Sequence, residues 1–209
     1  MDASELVEAS HRLAVRGLVI GTSGNVSVRT GDRILLTAKG AALADLTPDQ
    51  IATVDLDGNV LAGAPTSELE LHLTIYHRFD ATAIVHTHAP MATALSCVLD
   101  ELPVIHYQLL GLGGAIRVAP FHPFGTPELA TAVAAVLQGR TAALLANHGA
   151  VNHAHSLDRA VQDAIVLEWA CALYLDAARL GTPRVLDEQQ QAAVRASAAR
   201  HGYRSLTPG

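Results

Sequence analysis

The sequence predicts an α/β fold: one domain over residues 1–209, with a mixed central β-sheet flanked by helices. Three observations lead there. Strand-like and helix-like patterns alternate irregularly, with hairpins early in the chain and helical crossovers later. Half the residues are hydrophobic and only 16% are charged, the balance of a compact globular chain. No linker, internal repeat or low-complexity segment divides it. A doubly wound nucleotide fold is not supported, because no G-x-G-x-x-G follows the first strand and no Walker loop is present.

The elements follow in order. A helix is predicted over residues 4–16, with Leu6, Ser10 and Leu13 at helical spacing and Gly17 as its stop. "NVSVRTGDRILLT" reads as a hairpin around Thr30-Gly31-Asp32. "LTPDQI" carries a helix-start signature, with Thr47 as cap, Pro48 first and Gln50 third. "ATVDLDGNVLAG" is a second short hairpin, turning at Asp57-Gly58-Asn59. A helix opens at Thr66 or Ser67 with Glu68 in its first turn. "ATAIVHT" is a strand and "PMATALSCVL" a helix. "LPVIHY" and "AIRVAPF" read as strands around glycines 111, 113 and 114. Thr126-Pro127-Glu128 starts a helix running to about Gln138, and "TAALLANHGAVNH" is a buried strand ending near His148. The longest helix covers residues 156–180, and a final one covers 187–200.

The net charge of −6 argues against a general nucleic-acid binder, though a few local donors suffice for a small anionic substrate. Cys97 and Cys171 both lie in helix-like apolar surroundings, as reduced core thiols would. The N-terminus has no apolar signal-like region, and the longest low-polarity stretch is too short to span a bilayer. A soluble, cytoplasmic protein is expected.

"IVHTHAP" ends an apolar run with two histidines. Residues i and i+2 of a strand share a face, so His86 and His88 project together, either as paired metal ligands or as polar groups at a sheet edge. A metal site needs a third donor, and His148 in "LLANHGAV" is the best candidate. His153 and His155 repeat the spacing but read as a solvated loop, and His72, His77, His106 and His122 read as ordinary helix-face or loop groups. Glu68 is placed for acid–base work, or simply complements a helix dipole. Thr66 and Ser67, Gly24 and Asn25, and Lys39 and Gly40 all occupy turns or helix starts where an anion could bind.

Taken in order, "GTSGNVSVR", "LLTAKG", "PTSELELH", "IVHTHAP", "IHYQL" and "LLANHGAV" resemble the class II aldolase/adducin family, nearest its L-fuculose-phosphate aldolase branch. The resemblance is colinear over about residues 4–180. It implies that His86, His88 and His148 bind one Zn²⁺ per subunit. It implies that Glu68 is the catalytic acid/base and an additional zinc ligand when substrate is absent. Gly24, Asn25, Gly40, Thr66 and Ser67 match phosphate-binding loops. Lys39 stands where the branch usually carries Thr or Ser. Tyr107 matches a tyrosine that reaches a neighbouring subunit's site, and Tyr203 lies nearest a second such tyrosine. The implied activity is reversible cleavage of a phosphorylated sugar, a ketose 1-phosphate resembling L-fuculose 1-phosphate or a deoxypentulose phosphate. The implied products are dihydroxyacetone phosphate and an aldehyde, and the implied assembly is a homotetramer with active sites between subunits. Dehydratases, epimerases and decarboxylases share the scaffold, although the epimerases usually have Asp where Glu68 stands. A non-catalytic adducin-like module is the alternative outside enzymology.

Overall fold

The computed structural model describes residues 2–203. Nine strands form one sheet in the order β4-β3-β2-β1-β5-β9-β8-β7-β6. They are β1 Asn25–Thr30, β2 Arg33–Thr37, β3 Ile51–Asp55, β4 Val60–Ala62, β5 Ala83–Thr87, β6 Glu101–Leu102, β7 Ile116–Ala119, β8 Ala142–Leu145 and β9 Gly149–Ala154. The helices are α1 Ala3–Val15, α2 Leu69–Arg78, α3 Pro90–Ser96, α4 Pro127–Val136, α5 Leu157–Leu180 and α6 Glu188–His201. The sheet is mixed, as expected: β7 and β8 run parallel and the other described pairings are antiparallel.

Each central strand divides its side chains between two cores. Val26 and Val28 of β1 and Ala83 and Val85 of β5 face a core shared with α1, α3 and α5. Ile84 of β5 and Val151 of β9 face the opposite core, shared with α2 and α4. Period-2 alternation therefore sends His86 to the α2 side along with Ile84. α5 also holds the start of α3. Its Glu168 carboxylate accepts hydrogen bonds from the Met91 and Ala92 amides at 2.9 and 2.8 Å, replacing partners that a helix start lacks.

Several local readings need correction. The Thr47–Gln50 capping box forms, but it closes only the 3₁₀ turn Pro48–Gln50, because the chain turns at once into β3. "LPVIHY" contributes only Leu102 to a strand, the two-residue β6, and Tyr107–Leu112 is a 3₁₀ segment ending at Gly113. "TAALLANHGAVNH" is two strands, not one. Ala146, Asn147 and His148 form the turn between β8 and β9, and Asn147 carries the turn's positive φ of 57°. α2 starts at Leu69, which leaves Glu68 at the N-cap with no side-chain cap bond. Cys97 is exposed while Cys171 is buried. No helix among the described residues is long and apolar enough to cross a membrane.

Candidate metal centre and anion-binding cleft

Three chain segments meet at one end of the central strands. β1 pairs with β5 so that Asn25 lies opposite His86, and β5 pairs with β9 so that Thr87 lies opposite Ala150. His86 is the penultimate residue of β5, which is buried throughout, His88 follows the strand, and His148 arrives from the β8–β9 turn. Two close approaches make this possible. A Cβ at Gly24 would lie 2.9 Å from the His86 carbonyl, and one at Gly149 would collide with the Thr87 carbonyl. Larger residues at either position would push apart the segments that carry the histidines.

Glu68, His86, His88 and His148 each present a potential ligand atom, and these atoms all lie within 4.8 Å of one another. The three rings stand edge-on to each other with centroids 4.8 to 4.9 Å apart. His86 Nδ1 lies 2.9 Å from the Ala150 carbonyl, to which it donates. That bond leaves its Nε2 lone pair facing inward, 3.0 Å from His88 Nε2. Such an outer partner fixes the tautomer a ligating imidazole needs. Glu68 Oε2 lies 3.1 Å from His86 Nε2, and Oε1 lies 3.5 Å from His148 Nε2. Oε1 is fully buried and has no hydrogen-bond partner.

This donor set fits a divalent metal on two grounds. Three imidazole nitrogens are borderline donors in the number a catalytic site uses, with the carboxylate able to fill the fourth position, and a buried carboxylate oxygen that makes no hydrogen bond is costly unless something binds it. Electrostatics agrees. Burial disfavours a charged Glu68, but the His86 and His148 imidazoles and the Asn25 amide outweigh it and hold the carboxyl far below its usual range. Burial and the neighbouring His86 push His88 and His148 down to about 4, so both rings are neutral lone-pair donors at pH 7.

The centre opens into a cleft of about 620 Å³. Gly24, Asn25, Gly40, Thr66 and Ser67 line it beside Glu68, His88 and His148, so the turns singled out as anion sites share one cavity. Lys39 is exposed, and its flanking residues Ala38 and Gly40 line the cleft instead; its amide bonds the Ala64 carbonyl at 3.0 Å. Tyr107 and Tyr203 are 45% and 62% exposed, and neither lines this cleft.

Over residues 4–175 the chain matches the model of the Class II Aldolase and Adducin N-terminal domain. The chain belongs to that family. Among its family relatives, the 5-methylthioribulose-1-phosphate/5-deoxyribulose-1-phosphate aldolase of Rhodospirillum rubrum is 37% identical over 191 residues, covering 89% of this chain and 86% of that one. The L-fuculose phosphate aldolase of Escherichia coli K12 is 36% identical over 206 residues, covering 97% and 96%. A solved L-fuculose 1-phosphate aldolase superposes with a TM-score of 0.89 at 33% identity, covering 94% of this chain and 95% of that one.

Within this family member, two sequence readings of histidines are overturned. His153 is not in a solvated loop: it lies buried in β9, stacked on Phe79 with centroids 5.0 Å apart. His72 is not a bland helix-face group but is fully buried and bonded on both ring nitrogens. Sequence reasoning also missed Phe121 and Phe124, exposed aromatic residues on the cleft wall. Nothing in "APFHPFG" distinguishes a cleft wall from any loop.

Proposed function

We propose that the protein is a zinc-dependent class II aldolase that reversibly cleaves a ketose 1-phosphate into dihydroxyacetone phosphate and an aldehyde. One observation carries this reading: Glu68, whose Oε1 makes no hydrogen bond, joins three converging histidines at the end of a cleft lined by anion-ready turns. The names of the relatives, sugar-phosphate aldolases, support the same reaction class. His86, His88 and His148 would hold the zinc, with Glu68 as a fourth ligand before substrate enters. Bound there, the cation supplies Lewis-acid stabilisation of the negative charge that develops beside the ketose carbonyl.

The chain's own residues do the rest. Gly24, Asn25, Gly40, Thr66 and Ser67 bind the phosphate through backbone amides and hydroxyls. The exposed Lys39 adds positive charge beside them. When the C3–C4 bond breaks, its electron pair stays on C3, and Glu68, which has first taken up a proton from solvent, delivers that proton to the carbon. In the synthetic direction Glu68 removes the same proton. The hydroxyl proton on C4 leaves as the aldehyde forms, and Tyr107 of a neighbouring subunit manages it. That role requires an assembly with shared sites, for which we propose a homotetramer. The cytoplasm is the compartment this reading implies.

The test follows dihydroxyacetone phosphate release from a panel of ketose 1-phosphates, with zinc-loaded wild type and Glu68→Gln side by side. Release that requires zinc and falls about 100-fold or more in the variant is expected for loss of a general acid–base. No release from any sugar, with metal still bound, would move the reaction to a dehydratase, epimerase or decarboxylase on the same scaffold.

A further inference from the structure

From Glu68 inward, through Asn25 at the cleft wall and into the core beneath α2, five buried polar groups form a single file. Tyr76 OH lies 2.8 Å from Ser27 Oγ, and Ser27 Oγ lies 2.6 Å from His72 Nδ1. His72 Nε2 contacts Asn25 Oδ1 at 2.5 Å, and Asn25 Nδ2 donates to Glu68 Oε2 at 2.9 Å. Glu68, His72 and Tyr76 are spaced by four along α2 and its N-cap, while Asn25 and Ser27 are spaced by two along β1. A helix face with period four thus meshes with a strand face of period two. All five residues are at most 5% exposed.

The direction of every bond in this file is determined by its end. An ionised Glu68 can only accept, so Asn25 presents its amino group to Oε2 and its Oδ1 to His72. Oδ1 can only accept as well, so His72 carries its proton on Nε2. With a neutral ring, Nδ1 then accepts from the Ser27 hydroxyl, which in turn accepts from Tyr76. Each donor points towards Glu68.

The two carboxylate oxygens consequently differ. Oε2 is engaged by Asn25 and faces His86 Nε2 at 3.1 Å. A proton there would confront the Asn25 N–H. Oε1 makes no hydrogen bond and faces His148 Nε2 at 3.5 Å.

We propose that His72 is a positioning residue: through Asn25 it holds Glu68 Oε2 as a permanent acceptor, so that Oε1 is the oxygen that takes and returns the proton. This rests on the reading of Glu68 as the acid/base. When Glu68 Oε1 takes the proton from C3, the electron pair of the C–H bond stays with the substrate. The same proton returns in the cleavage direction, and the Tyr76–Ser27–His72–Asn25 file stays unchanged in both.

The experiment compares zinc-loaded wild type with His72→Phe, His72→Gln, Ser27→Ala and Glu68→Gln. Turnover is read together with deuterium uptake at C3 of dihydroxyacetone phosphate in D₂O without aldehyde, which isolates the proton step. In His72→Phe, kcat and exchange should both fall about tenfold or more, as misplacement of a reacting group does. KM and metal content should stay within about twofold of wild type, against the far larger losses that removing a contact brings. His72→Gln, which can still donate to Asn25, should recover most of the loss. A higher KM with unchanged exchange would assign the file to phosphate binding through Asn25 and overturn the proposal, as would a normal His72→Phe. Normal exchange in Glu68→Gln would instead sink the acid/base reading itself. Should His72→Phe not fold, Ser27→Ala gives the milder test, because it releases the His72 tautomer without emptying the core. Independently of turnover, ¹⁵N-histidine NMR should find His72 neutral and protonated on Nε2, and an Nδ1–H tautomer overturns the proposal.

Discussion

Gly149 is the residue on which the ligand geometry is most sensitive to a single atom. Its missing side chain lets β9 begin against the Thr87 carbonyl, with His88 beside it and His148 immediately before it in sequence. Gly149→Ala should therefore separate the two segments that bring those histidines together. The expected cost is about 1–3 kcal/mol, the usual range for overpacking, with metal affinity falling in parallel. Urea unfolding and calorimetric metal titration would measure the two effects, and an unchanged metal affinity would mean the turn relaxes without moving His148. Residues of this kind explain what was legible. His86, His88 and Glu68 stand out because period-2 and helix-start rules place them, and Asn-His-Gly marks a turn. His72 was not legible, because a buried histidine and an exposed one look alike on a helix until their strand partners are known.

At the level of elements, α3 depends on α5 for its first turn. Glu168 bonds both the Met91 and Ala92 amides, so Glu168→Ala should cost about 1 kcal/mol, the typical value of a lost cap. Glu168→Gln, which can satisfy only one of the two amides through its carbonyl oxygen, should fall between. A lower urea midpoint with an unchanged denaturant slope would be the signature, and equal stability of all three proteins would remove the capping account. Helices and hairpins were readable in advance because capping residues, turn glycines and periodicity are local. The β8–β9 turn was not, because "ALLANHGAV" is apolar on both sides and its turn depends on Asn147 adopting positive φ. Only the pairing of β9 with both β5 and β8 reveals that two strands are present.

For the whole molecule, acid sensitivity follows from a histidine outside the Glu68–histidine cluster. Burial pushes His153 down to about 4 from the ordinary histidine value of about 6.5, with the Arg140 backbone partly opposing it. The unfolded chain therefore binds a proton that the folded chain refuses between those values. Stability from this group is fully present above pH 6.5 and is lost as pH falls towards 4, at about 1.4 kcal/mol per pH unit. His153→Phe keeps the stack on Phe79 and should reduce the proton uptake on unfolding by about one in that window. Urea unfolding across pH 4–7 in metal-free protein would read it, and an identical pH slope in the variant would refute it. The mixed sheet itself was legible from the order of hairpins and crossovers, whereas its strand order was not, since adjacency of β1, β5 and β9 is a matter of long-range pairing. That adjacency has an evolutionary corollary. Each side chain of the Glu68, His86, His88 and His148 cluster is borne by, or directly abuts, these central strands and α2, whereas Phe121 and Phe124 lie on the separate connection between β7 and α4. Substitutions in that connection can therefore reshape one wall of the cleft while the strands that carry the histidine cluster are inherited intact.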